Sequence, residues 1–262
     1  GNPDDNRNGE LFLSVWDEVN RVSYVRDLGI SMTDWLDGGQ KNIGHTFAAD
    51  SLWFDIANGT NLSGRNDSTR TDSATVGTPL AAFASTSNLY WNIVTVDYTT
   101  LEILSTSRLT SPSAGMLSTT GSDIDSAAQN SAVHSGNSNA FQPGGNTNYA
   151  VNTSNVATIS DGNAYSGNNS SAGERMGSIM NWSNAARSTL DVSNRMRFYS
   201  LNDDPNDLNA PGFVSEVVAG AYWTFDGATG NLVYAVPEAD TWALFGAGLV
   251  MLGAVARRKR SA

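Results

Sequence analysis

Residues Glu10 to Asp17 (ELFLSVWD) alternate with a period of two, placing Leu11, Leu13 and Val15 on one face and Phe12 and Trp16 on the other. Arg21 to Leu28 (RVSYVRDL) is a second β-rich run. The short Glu18-Val19-Asn20 linker between them predicts an antiparallel hairpin. Ser31 to Leu36 (SMTDWL) reads as a short turn or helical piece stopped by Gly38-Gly39. Thr46 to Ala57 contains SLWFDIA, which reads as a strand, and Asn58 to Gly77 is polar loop material. Asn88 to Ser107 carries the strongest β pattern of the middle of the chain. Trp91, Ile93 and Thr95 alternate there with Asn92, Val94 and Val96. Two strands broken near Asp97 to Thr100 are expected.

The pattern then thins. Leu109 to Ser178 is rich in Ser, Asn, Gly and Ala and poor in large apolar residues. Asp123 to His134 reads as an Ala-rich helix, and Asn148 to Ile159 as a concealed strand in otherwise loop-like sequence. A structureless loop of this length is unusual in a compact domain, so it hides short elements or decorates the surface. Order returns over Ser188 to Leu201. Phe213 to Phe225 and Asn231 to Val236 form a closing hairpin across Asp226 to Gly230. Many short strands with frequent turns predict an all-β fold, an antiparallel β-sandwich with the jelly roll as one form open to it, with long polar loops and a C-terminal hydrophobic helix. The expected division is a terminal segment over residues 1–9, a sandwich over 10–235 with a low-complexity insertion at about 109–178, and a tail over 236–262.

The tail breaks the pattern most sharply. Val236-Pro237-Glu238 is a short polar motif. Trp242 to Ala256 is an uncharged apolar run of 15 residues, and Arg257-Arg258-Lys259-Arg260 is a basic cluster. An uncharged helix followed by four cations is a membrane stop signal with the cationic end on the cytoplasmic side. At about 1.5 Å per residue the run spans roughly 22 Å, short of the roughly 30 Å hydrocarbon core. Snorkelling by Arg257 and Arg258 and interfacial seating of Trp242 close much of that gap. On the residues alone, an ordinary tail anchor or a buried core helix is also open.

The tail resembles the PEP-CTERM sorting signal of Gram-negative bacteria. The matching residues are Val236-Pro237-Glu238, Thr241-Trp242-Ala243-Leu244, Gly248-Leu249, Leu252-Gly253 and Arg257 to Arg260. Ala239 stands where the family pattern has a second proline. The resemblance implies export across the inner membrane, transient retention by the C-terminal helix, and processing near the Pro-Glu motif by an exosortase-type protease-transpeptidase. It further implies release to the cell surface or into an exopolysaccharide-rich matrix. It covers 27 of 262 residues and concerns address, not activity.

Composition narrows the partners. Net charge is −11, and setting aside the four tail cations leaves eleven basic against 26 acidic residues, a net of −15. Nucleic acid and anionic lipid are poor partners for such a surface. Cysteine is absent, which removes thiol catalysis and cysteine metal sites. The opening Gly1-Asn2-Pro3-Asp4-Asp5 reads as a terminus left after signal cleavage.

Candidate chemistry is sparse. Neither of the two histidines, His45 and His134, sits in a metal-ligand spacing, and no nucleophile elbow, Walker loop or dinucleotide fingerprint is present. No catalytic residue is assigned, although triads assemble from distant segments. Asn202 to Asp207 gathers Asp203, Asp204 and Asp207 with two amides. This is a hard-oxygen set that suits calcium and equally a solvated turn. No other cofactor is expected. Of seven tryptophans, Trp16, Trp53, Trp91 and Trp223 read as core; Trp35 and Trp182, in polar surroundings, are the candidates for stacking on carbohydrate. Three readings follow. One is a non-enzymatic surface or matrix protein contributing to biofilm or floc architecture, including self-assembly into filaments through a donated N-terminal strand. The second is an exopolysaccharide-binding module, and the third is a secreted hydrolase with His45 or His134 beside a carboxylate.

Overall fold

The computed structural model describes residues 9–60, 81–97, 100–127, 154–159, 164–167, 185–204 and 206–237. The chain opens with strands β1 (Glu10–Asp17) and β2 (Val22–Ser31), the antiparallel hairpin that the alternation predicts. Helix α1 (Met32–Leu36) follows at once. The Ser31 hydroxyl accepts from the Asp34 amide at 3.0 Å and caps it. Strand β3 (His45–Phe47) and helix α2 (Ser51–Asn58) come next. After them run β4 (Tyr90–Asp97), β5 (Glu102–Ser107), helix α3 (Ala114–Leu117), β6 (Ser154–Thr158), β7 (Ala186–Arg187), β8 (Arg197–Asn202), β9 (Phe213–Glu216), β10 (Tyr222–Asp226) and β11 (Asn231–Ala235).

One expectation is corrected here. SLWFDIA is helical, not extended. The Asp50 carboxylate accepts from the Trp53 amide at 2.9 Å, which caps the helix, and Gly59 at φ +70° closes it in the left-handed region. Leu52, Trp53 and Ile56 are buried, a spacing that fits a helical face and not a two-residue period. The break between β4 and β5 falls as expected. The Asp123–His134 expectation is met over residues 123–127 of a helical turn that begins at 121, where Ile124 and Ala127 are buried, and its remainder lies outside the described residues. Asn148 to Ile159 yields β6.

Two antiparallel sheets result. The larger, of eight strands, runs β6-β2-β1-β4-β5-β8-β9, with β7 paired to β4; the smaller runs β10-β11-β3. The partition is unequal, eight strands against three. A bridge between Met196 and Trp223 stitches the sheets together along one side. Between them lies the main core: Leu11, Leu13, Val15, Trp91, Ile93 and Leu104 from the large sheet meet Trp223, Phe225, Leu232 and Tyr234 from the small one. Helices α1 and α2 insert Trp35, Trp53 and Ile56 into the same layer.

The outer face of the large sheet is also covered. Val94, Ile103, Tyr199 and Leu201 pack against Met116 of α3 and against Ile124 and Ala127. This two-sided burial puts apolar residues on both faces of β4 and β5, with Ile93 and Leu104 in the main core and Val94 and Ile103 in the outer one. The sandwich expectation therefore holds, with helices supplying part of each layer.

Candidate sorting junction

The head joins the tail without a spacer. β11 is the central strand of the small sheet, held by β10 on one side and β3 on the other. Its last residue, Ala235, pairs with Tyr222. Leu232 and Tyr234 point into the core, and the Tyr234 hydroxyl donates to the Lys41 carbonyl at 2.9 Å. Val236, the first residue past the strand, is half-buried against the same core. Pro237 is exposed and sits over the β9–β10 turn, where a Cβ built on Gly220 would stand 3.1 Å from its ring.

That turn is fixed by a small polar cluster. Gly220 adopts φ +80°, a conformation that glycine tolerates and other residues resist. Its amide donates to Glu216 Oε1 at 3.1 Å. Arg197 donates to the same oxygen at 3.2 Å and to the Ala221 carbonyl at 3.2 Å. The Arg197–Glu216 pair is partly exposed, so the ion pair itself contributes about 1 kcal/mol at most. Its role is to set the turn on which Pro237 rests. Burial, with the nearby Glu216 charge second, raises the Tyr234 phenol far above its ordinary range, so it stays a neutral donor at any physiological pH. Tyr199 is pushed up to about 12 by the same two causes in the same order. Sequence reading had no signal for this seat beyond the glycine in VVAGAY.

Other candidates fall differently. Trp35 is corrected from an exposed carbohydrate contact to a core residue, at 0% exposure. Its ring stacks on Trp223 at 5.4 Å and meets Tyr234 at 4.8 Å and Phe198 at 5.7 Å. The polar neighbours that suggested a loop are the caps of α1, while Met32 and Trp35, three residues apart, face inward together. Trp16, Trp53, Trp91 and Trp223 are buried as expected. His45 packs its ring against Trp35 and Phe47, and its Nε2 bonds the Gln40 carbonyl at 2.8 Å; the partner is a peptide oxygen, not a carboxylate.

In the acidic loop, Asp204 accepts from the Asn206 amide at 2.9 Å and Asp207 from the Asn209 amide at 2.9 Å, two successive Asx turns. Among the described residues no three His, Asp or Glu side chains gather as a metal site, and this includes Asp203, Asp204 and Asp207. Trp182, His134, Glu238, Trp242, Leu244, Gly248, Leu249, Leu252, Gly253 and Arg257 to Arg260 lie outside the described residues, as do the expected tail helix and residues 1–8. Among those described, no helix is long and apolar enough to cross a membrane.

A carboxylate pair escaped the sequence reading. Asp27 of β2 donates a hydrogen bond to Glu10 of β1, beside the irregularity in register between Glu10 and Phe12. Burial, reinforced by that bond, pushes Asp27 up to about 7. Burial is the largest influence on Glu10 and acts to raise it, the bond from Asp27 acts to lower it, and the net direction is below its ordinary value. An aspartate in the otherwise β-rich RVSYVRDL was the only hint.

The junction is what a comparison with known proteins picks out. Residues 235–260 match the PEP-CTERM protein-sorting motif. No curated protein and no solved structure matches the chain. The PEP-CTERM match begins at Ala235, which is still inside β11, so signal and fold overlap. Such a motif implies membrane-associated export and processing by an exosortase. The head carries the junction as a built-in end of its small sheet.

Proposed function

We propose that the chain is a non-enzymatic protein of the cell surface or extracellular matrix, delivered by its PEP-CTERM tail and contributing to biofilm or floc architecture. The observation that carries this reading is the sorting motif, continuous with the last strand of the head. The disposition of the head supports it. The described tryptophans are invested in the core, His45 is bound to a peptide oxygen, and the acidic loop closes on itself through Asx turns. The carbohydrate-binding reading has lost Trp35 as its platform and rests on Trp182 alone. Self-assembly has one structural support. β9 ends the large sheet with no further strand beside it among the described residues, and its Phe213 is 62% exposed. An open edge of this kind accepts a strand from another copy.

Electron microscopy of protein taken from the surface of producing cells tests this function. Ordered polymers are expected if the head is a structural subunit. Dispersed particles that hydrolyse or tightly bind the surrounding polysaccharide would replace the proposal with one of its rivals.

A further inference from the structure

The outer edge of β9 is complementary to itself. In the β8–β9 ladder the Val217 amide donates to the Phe198 carbonyl at 2.8 Å, and Ser215 stands opposite Ser200. Bonding alternates along an antiparallel strand. The amides and carbonyls of Phe213 and Ser215 therefore turn toward β8, and those of Val214 and Glu216 turn away from it. Among the described residues no strand lies beside them. The open stretch is bounded upstream, where the Gly212 amide already donates to the Thr119 carbonyl at 2.8 Å and Pro211 bridges Thr120.

Charge and side chains say what fits there. The one charge in FVSE is Glu216, which Arg197 pairs at 3.2 Å, so the edge is neutral on an otherwise acidic head. β9 has neither the lysine nor the proline that commonly guards an edge. Phe213 is 62% exposed, and it shares a face with Ser215 and with Val217, which is packed on the main core. We infer that β9 pairs antiparallel with β9 of a second copy, about a two-fold axis at Ser215. Val214 of each copy then exchanges both backbone bonds with Glu216 of the other, which satisfies every group that turns outward along the strand. Ser215 faces its own equivalent, and each Phe213 meets Val217 of the other copy as an aromatic–β-branched pair. An axis at Glu216 would set two carboxylates face to face, and an axis at Val214 would call on Gly212, whose amide is taken. The contact is isologous, so it closes at two copies and joins their large sheets into one. The segment Gly1 to Gly9 is a poorer occupant. It has no apolar residue to meet Phe213, Pro3 has no amide to donate, and Asp4 and Asp5 add negative charge. The inference deepens the self-assembly reading and rests on it.

The detergent-solubilised full chain tests this by disulfide trapping and by native mass. The chain has no cysteine, so one introduced thiol reports one position. In the inferred register Ser215 and its equivalent form a non-hydrogen-bonded pair with Cα atoms about 4.5 Å apart, within disulfide reach, while Phe213 and its equivalent stand about 14 Å apart. Under copper–phenanthroline oxidation, Ser215→Cys should give a covalent dimer about tenfold faster than Phe213→Cys, or faster still. The unsubstituted chain should have the native mass of a dimer. Ser215→Lys, which sets like charges face to face at an exposed position, should be a monomer with its urea midpoint unchanged. A dimer or polymer that survives Ser215→Lys, or equal trapping at positions 213 and 215, overturns the β9 pairing and leaves self-assembly standing. A monomeric unsubstituted chain, with no dimer trapped by Ser215→Cys, overturns the self-assembly reading and the pairing with it.

Discussion

Replacing Trp35 with alanine separates a core tryptophan from a carbohydrate platform. The indole is fully buried between Trp223, Tyr234 and Phe198. A tryptophan that buries roughly 200 Å² of surface at about 25 cal/mol per Å² contributes about 5 kcal/mol. One correction lowers that figure. Trp35 Nε1 has no acceptor among the described residues, so truncation also removes a buried, unsatisfied donor, which returns about 1–2 kcal/mol. The expected loss is therefore about 3–4 kcal/mol, inside the range for large aromatic-to-alanine changes in cores. Urea unfolding of the head, followed by far-ultraviolet circular dichroism, should show the midpoint lowered by about 1 M or more with the slope unchanged. Trp35→Phe removes the unsatisfied N–H and keeps most of the ring, so it should cost less than half as much. A Trp35→Ala loss below about 0.5 kcal/mol, the scale of a surface change, would refute the packing argument and restore the residue as an exposed contact.

Three further outcomes are expected. Because the Asp27 carboxyl binds its proton more tightly in the folded state than in the unfolded chain, its stabilising effect is full below about pH 4 and is lost as pH rises through about 7. The upper bound of about 4 kcal/mol falls to about 2 kcal/mol given its partial exposure. Asp27→Asn should flatten the stability profile between those limits in urea titrations at stepped pH. Gly230→Ala should cost about 2–5 kcal/mol by thermal unfolding. Its φ of +71° disfavours a side chain, and the added Cβ would overlap the buried Trp53 ring. Gly220→Ala, strained at φ +80° and crowding Pro237 at 3.1 Å, should cost about 1–2 kcal/mol in the same assay and loosen the seat of Pro237.

The strands that alternate cleanly were legible. Leu11, Leu13 and Val15 face one core and Phe12 the other, and the Asp226 to Gly230 turn closes its hairpin as the glycine-containing sequence demands. α2 was missed because its apolar residues form a compact run, SLWFDIA, in which period two and period 3.6 cannot be told apart. Its boundary signals, Asp50 before it and Gly59 after it, carried the answer. Trp35 was misplaced for a related reason. A single turn of helix surrounds it with polar caps, and only tertiary contact reveals which way the ring points. The sorting motif was readable because it is local and ordered along the chain. The seat beneath it was not, since Arg197, Glu216, Gly220 and Pro237 are gathered by sheet pairing across distant sequence.

Intact-mass analysis of the protein recovered from the surface of producing cells, compared with the membrane fraction of the same cells, tests the central claim most directly. An exosortase substrate should appear at the surface as a species lacking the run from Trp242 to Ala262, with the full chain confined to the membrane fraction. Full-length protein at the surface, with no shortened species in either fraction, would contradict the account.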